Sequence, residues 1–198
     1  MRKEKITAEH LIKLYSDDCK SSQEIASIIN CSPNRINYWL EKYGIPKRTI
    51  SDAIYIKHNP KGDPFKFIPP KSVEEVRLFG LGLGLYWGEG NKANKSTVRL
   101  GNSDPALLNK FIEFLIKFFG IKKKDFKFHL QIFSDIDVEV ALKYWEEKLK
   151  IQRKQFYKPL VTKSGSLGTY KNKSKYGVLT IYYGNVKLKN KLMDLLPL

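Results

Sequence analysis

The chain has 198 residues, 42% hydrophobic and 13% aromatic, which excludes wholesale disorder and suffices for one sizeable core or two small ones. Lys and Arg outnumber Asp and Glu by 36 to 20, and a net charge of +16 calls for a polyanionic partner, nucleic acid or an anionic membrane surface. The longest uncharged apolar stretch, Leu78 to Gly88, is 11 residues, too short for a bilayer span of ~20. The opening residues lack the apolar stretch of a secretory signal. Cys19 and Cys31 make neither a disulfide framework nor a zinc site. A reduced, cytoplasmic protein that does not enter a membrane is expected.

Three short helices are predicted in the N-terminal part. The first spans Ala8–Ser16, with Leu11, Leu14 and Tyr15 at helical spacing. Ser21 or Ser22 caps the second, and Glu24 follows Ser21 by three residues, as in a capping box. Ile25, Ala26, Ile28 and Ile29 carry it to Asn30, a residue that tolerates a left-handed turn. The third begins with Ser32 as cap and Pro33 at the first helical position, and ends at Gly44. Two helices across a tight turn, with small Ala26 at their crossing, make a helix-turn-helix. Asn34, Arg35, Asn37 and Tyr38 then lie on the outer face of its second helix, where Asn and Arg read adenine and guanine edges. Lys47 and Arg48, just beyond, are placed to grip phosphate or enter the minor groove. A three-helix protein-contact module is the bland alternative. Residues 5–50 resemble the helix-turn-helix domains of resolvases and homeodomain-like regulators. This domain is taken as residues 1–48.

Pro46, Pro60, Gly62, Pro64, Pro69 and Pro70 puncture the next stretch and erase periodicity, so 49–72 reads as a linker with a short helix over Ser51–Lys57. From 73 to 198 helix and strand alternate. Helices are predicted over Val73–Glu89, Pro105–Phe119, Val138–Leu149 and Val186–Leu195. Strands are predicted over Thr97–Gly101, Phe126–Phe133, Phe156–Thr162 and Val178–Tyr183. This order gives an α+β domain. Lys148 to Met193 contains 12 Lys and Arg and no acid, an asymmetry a merely solvated face does not need.

The helix from Val73 carries the chemistry. Read from Gly82 the dinucleotide pattern fails at Trp87; its looser form fits Gly88, Gly90 and Ala93 but follows a helical pattern rather than a strand, and the P-loop sequence is absent. Gly80, Gly84 and Gly88 form one stripe at i, i+4 and i+8. Each costs ~1 kcal/mol against Ala in a helix interior, and close packing of a second helix compensates. A glycine-packed core helix without chemistry is the competing explanation. The stripe ends beside Glu89, followed by Gly90, a glycine able to terminate a helix in the left-handed conformation.

Gly82-Leu83-Gly84-Leu85-Tyr86-Trp87-Gly88-Glu89-Gly90 resembles the nine-residue motif of the LAGLIDADG homing endonucleases. Gly84 and Leu85 match its third and fourth positions, Glu89 its catalytic acid and Gly90 its final glycine, with Tyr86 at an apolar position. Gly82, Leu83 and Trp87 depart from it. The resemblance covers about residues 73–198. It implies a mixed, mostly antiparallel sheet and a single-motif homodimer packed through Gly80, Gly84 and Gly88. It also implies Mg²⁺ or Mn²⁺ held by Glu89 from each copy, and cleavage of double-stranded DNA. The Tyr144–Glu147 segment echoes Tyr86–Glu89 but lacks every glycine, and reads as a plain amphipathic helix.

The resemblance also implies a residue assisting Glu89, for which Lys158 is the first choice and Gln131 or Lys163 the next. Lys92, Lys95, Arg99, Lys127, Lys158, Lys163, Lys171, Lys173 and Lys175 are the expected DNA contacts. The histidines stand isolated, without the convergent partners of a metal site. A non-catalytic transcription regulator of the same fold is the alternative function.

Overall fold

The structure, a computed structural model, describes residues 6–164 and 174–197. The chain forms two compact units, Met1–Pro64 and Phe65–Leu198.

The first unit is helical. Helix α1 (Ala8–Ile12) continues as one π-helical stretch, Lys13–Asp17, followed by α2 (Ser22–Ile29), α3 (Pro33–Lys42) and α4 (Ile50–His58). Both halves of the capping box form: Ser21 Oγ accepts from the Glu24 N–H, and the Glu24 carboxylate accepts from the Ser21 N–H. Asn30 closes α2 in the left-handed conformation, and Pro33 opens α3 behind its Ser32 cap. Leu11, Ile25, Ala26, Ile36 and Leu40 form the small core with Trp39 and Ile45.

The Ser21 backbone N–H, then its hydroxyl, hold the Glu24 carboxyl below the ordinary carboxylate range. That stabilisation is complete above the unfolded pKa and is lost as pH falls through the depressed folded value. Glu24→Gln should therefore melt below the wild type at neutral pH, with the gap closing in acid. Ser21→Ala should cost about 1 kcal/mol. Thermal melts by circular dichroism at both pH values check both expectations.

The second unit is α+β. Its elements are α5 (Val73–Glu89), β1 (Thr97–Asn102), α6 (Pro105–Phe119), β2 (Lys127–Phe133), α7 (Val138–Leu149), β3 (Leu160–Thr162), β4 (Val178–Gly184) and α8 (Val186–Asp194). The strands form a mixed sheet in the order β1-β4-β2-β3, with the β2–β3 pair parallel and the others antiparallel. The inward residues of the three longer strands, among them Leu100, Phe128, Leu130, Leu179 and Ile181, are buried. Helix α6 is the spine of the core, burying Leu108, Phe111, Phe114, Leu115, Phe118 and Phe119. Among the described residues, no helix is long and apolar enough to cross a membrane.

The stretch 49–72 divides between the two units. α4 belongs to the first. Phe65–Ile68 runs along the end of α6, where the Lys66 and Ile68 N–H groups donate to the Phe119 and Phe118 carbonyls at 3.1 and 2.8 Å. The Phe67 ring packs on Phe79 and Phe119, anchoring this Pro-flanked segment to the second unit. The strand expected over Phe156–Thr162 is shorter. Phe156 makes only an isolated bridge to Phe128, and Pro159, with no N–H to donate, delays the ladder to Leu160.

Each edge of the sheet is curtailed. β3 is three residues long. Outside β1, Gly90 bridges to Leu100, and the Asn91 N–H donates to the Arg99 carbonyl at 3.0 Å.

Candidate functional site

Helix α5 starts at its Ser72 cap, which accepts from the Glu75 N–H. Its inner face buries Gly82 and Tyr86. A Cβ on Gly82 would lie 2.1 Å from Phe114 Cγ, so this glycine permits the close approach of α5 to α6. The opposite face is uncovered. Val73, Val76, Leu81 and Trp87 are exposed along it, with Trp87 at 50%. Between them lie Gly80, Gly84 and Gly88, where a Cβ would meet nothing within 4 Å. Within one chain, then, packing explains Gly82 and leaves the stripe of three unexplained.

Glu89 is the last residue of α5 and is exposed. It carries a negative charge at the negative end of a helix dipole, a placement that costs ~0.3–1 kcal/mol and favours a cation nearby. The Lys92 ammonium supplies one by donating to the Trp87 carbonyl. The expected left-handed terminator is corrected here: Gly90 has φ −72° and ψ 142°, ordinary extended backbone. Glycine is required there because a Cβ would sit 2.4 Å from the Tyr86 carbonyl oxygen.

Beneath this helix end lies a residue that sequence reasoning passed over. Lys189 of α8 is 2% exposed, and its ammonium donates to Tyr86 Oη at 2.7 Å and the Asn91 carbonyl at 3.0 Å. Its position in the apolar stripe of Leu188 and Leu192 is the signal that marks it. Burial, then the Lys92 charge, lower its pKa. Burial pushes the Tyr86 phenol up to about 12. Between pH 10 and 12 the folded chain keeps a proton that the unfolded phenol releases, so Tyr86 makes stability fall with rising pH there. Tyr86→Phe should flatten this alkaline decline, read as denaturant midpoints at pH 9 and 11.

The open face of the sheet carries basic and aromatic side chains in rows. Arg99 on β1, Tyr182 on β4 and Lys127 on β2 are directly opposed. The Arg99 guanidinium lies over the Tyr182 ring at 4.9 Å, and its buried Nε has no hydrogen-bond partner. Tyr157 meets Tyr182 edge-on at 5.7 Å. The next row is Gly101, Thr180 and His129, and Gln131 lies opposite Val178 and Leu160. Lys95, Lys158, Lys163 and Lys175 are exposed. Gln131 is three strand spacings across the sheet from Gly90, about 14 Å, and three residues, about 10 Å, further along its strand than the Gly90 row, while Lys158 lies one spacing farther across, before β3. One chain thus does not bring either of them to Glu89.

In the helical unit, Asn34 and Tyr38 are exposed and Arg35 is half-buried. Asn37 is engaged, its Oδ1 accepting from Ser22 Oγ at 2.9 Å. Lys47 pairs with Glu41 at 3.1 Å. Arg48 turns inward: its guanidinium donates to the Cys19 and Lys20 carbonyls and covers the Tyr15 ring. Its role there is to close the turn before α2, which spacing alone does not reveal. Lys171 and Lys173 lie outside the described residues. Among the described residues no three His, Cys, Asp or Glu side chains converge into a metal-holding group. No family model, curated protein or solved structure matches the chain.

Proposed function

We propose that the chain is a site-specific, metal-dependent DNA endonuclease of the LAGLIDADG type, acting as a homodimer through α5, with an N-terminal helix-turn-helix domain. The observation that carries this reading is the uncovered face of α5, whose three contact-free glycines lead to an exposed acid. A second α5 packed there lets backbones touch, offsets the helix cost of the glycines and brings two Glu89 side chains to one place.

One carboxylate per chain fits Mg²⁺, which is commonly bound by one or two carboxylates together with substrate phosphate and water. When bound, the metal supplies an activated water and charge stabilisation for the leaving oxygen. Glu89 holds it. Gln131 and Lys158, too far across the sheet to share a phosphate with Glu89 of the same chain, join Arg99, Lys127 and the other outward lysines in contacting the backbone on either side of it. Asn34, Arg35 and Tyr38 face base edges from α3.

The test is to incubate the full chain with a randomised duplex library and Mg²⁺ and to sequence any new ends. Recurrent cuts at one sequence support the endonuclease. Tight binding to a defined site without cutting, in Mg²⁺ and in Mn²⁺, moves the assignment to a DNA-binding transcription regulator.

A further inference from the structure

Two basic turns lie side by side at the start of β2. They are the 3₁₀ turns Lys123–Asp125 and Arg153–Gln155. Gln155, 5% exposed, staples them. Its Nε2 donates to the Lys123 and Phe126 carbonyls at 2.9 and 3.1 Å, while its Oε1 accepts from the Gln152 N–H at 3.0 Å. The Lys127 ammonium reaches across to the Lys154 carbonyl at 3.2 Å.

Lys150 adjoins this cluster. It ends α7 in the left-handed conformation at φ 51°, where glycine or asparagine is the undemanding choice. Burial, then the neighbouring Lys150 charge, lower the pKa of Lys123. Nearby acids do little to relieve this. Glu139 and Glu146 are both taken by Arg153, and Asp125 is the one acid between 122 and 128. Lys123, Lys127, Lys150 and Lys154 therefore form a local surplus of positive charge around the turns that Gln155 holds together. Lys127 also belongs to the outward row with Arg99 and Tyr182, so the cluster is continuous with the open sheet face.

We propose that this stapled cluster binds the phosphodiester backbone of duplex DNA beyond the segment facing the sheet. A duplex carries one charge per ~1.7 Å of axis, so a rod lying along the open face continues to present phosphates at its end. The inference rests on duplex DNA being the ligand. The function of the cluster is sequence-independent affinity, because phosphates carry no direct base information.

The experiment compares the full-length wild type with a Lys150→Gly, Lys154→Gln double variant. Binding to a long random-sequence duplex in EDTA is titrated at several salt concentrations. Glycine at position 150 suits the left-handed backbone, so thermal melting should hold. Two lost phosphate contacts should make the log–log salt slope about 1.8 shallower, and the fall in affinity between 50 and 200 mM salt about twelvefold smaller. An unchanged slope, with wild type binding duplex, overturns the cluster alone. Absence of duplex binding by either protein overturns the DNA reading and the inference together. An unchanged duplex slope with lost binding to phosphatidylserine vesicles overturns it in favour of a membrane surface.

Discussion

Glu89→Gln is expected to abolish cleavage while leaving duplex binding intact or tighter. Glu89 is the only acid between Val76 and Ser103, so no sequence neighbour can take its place as a metal ligand. It is exposed at the end of α5, so the fold does not depend on its charge. Gln keeps the size and the helix propensity. One negative charge is lost, and with it the means of holding a divalent cation and its activated water. In the proposed complex without metal, the same charge would face phosphate, a repulsion of about 1 kcal/mol at 4 Å in water. Removing it should tighten binding in EDTA up to about fivefold. Nicking and cleavage in Mg²⁺, paired with titration in EDTA, read both halves. A variant that still cuts would show that the acid is misassigned.

Substitutions on the two faces of α5 should have opposite consequences. Gly82→Ala places a methyl group inside the Phe114 ring contact, and overpacking of this kind costs about 1–3 kcal/mol. Gly84→Ala meets open space in the single chain and should stabilise it by about 1 kcal/mol through helix propensity. Gly84→Leu should keep the fold but separate two packed helices, leaving a monomer by sedimentation. Chemical denaturation under dissociating conditions measures the first pair. A Gly84→Leu protein of unchanged mass would eliminate this face as the dimer contact.

Much of the architecture was legible because its signals are local. α5, α6 and α7 occupy the expected Val73–Glu89, Pro105–Phe119 and Val138–Leu149, since each opens on a polar cap and, in α6 and α7, the apolar residues recur at helical spacing. The same holds for Ser21, Asn30, Ser32 and Pro33 around α2 and α3. Tertiary pairing was not legible. Nothing near Leu160 in sequence specifies a parallel partner in β2. Arg48 looks like any basic residue after a helix until the Cys19 and Lys20 carbonyls are folded against it. Gly82 and Gly84 are two residues apart, yet a helix sends them to opposite environments, one against Phe114 and one to open space. Helical spacing and the motif already set Gly84 apart from Gly82, but the reason for Gly82, its contact with Phe114, appears only in the packing. Lys189 was passed over because a lysine counts as surface by default, whereas here it donates to Tyr86 and Asn91 from within the core.

The curtailed edges of the sheet decide how copies of this chain can meet. A sheet with one face open invites strand-by-strand growth wherever an edge ladder is left unsatisfied. Here the outer side of β1 is already occupied by Gly90 and Asn91. At the other edge, β3 offers three residues behind a proline, too short a template to hold a fifth strand. Polymerisation by lateral annealing is thereby discouraged. In the proposed homodimer, self-association runs instead through the glycine face of α5, where an isologous contact between helix backbones saturates at two copies.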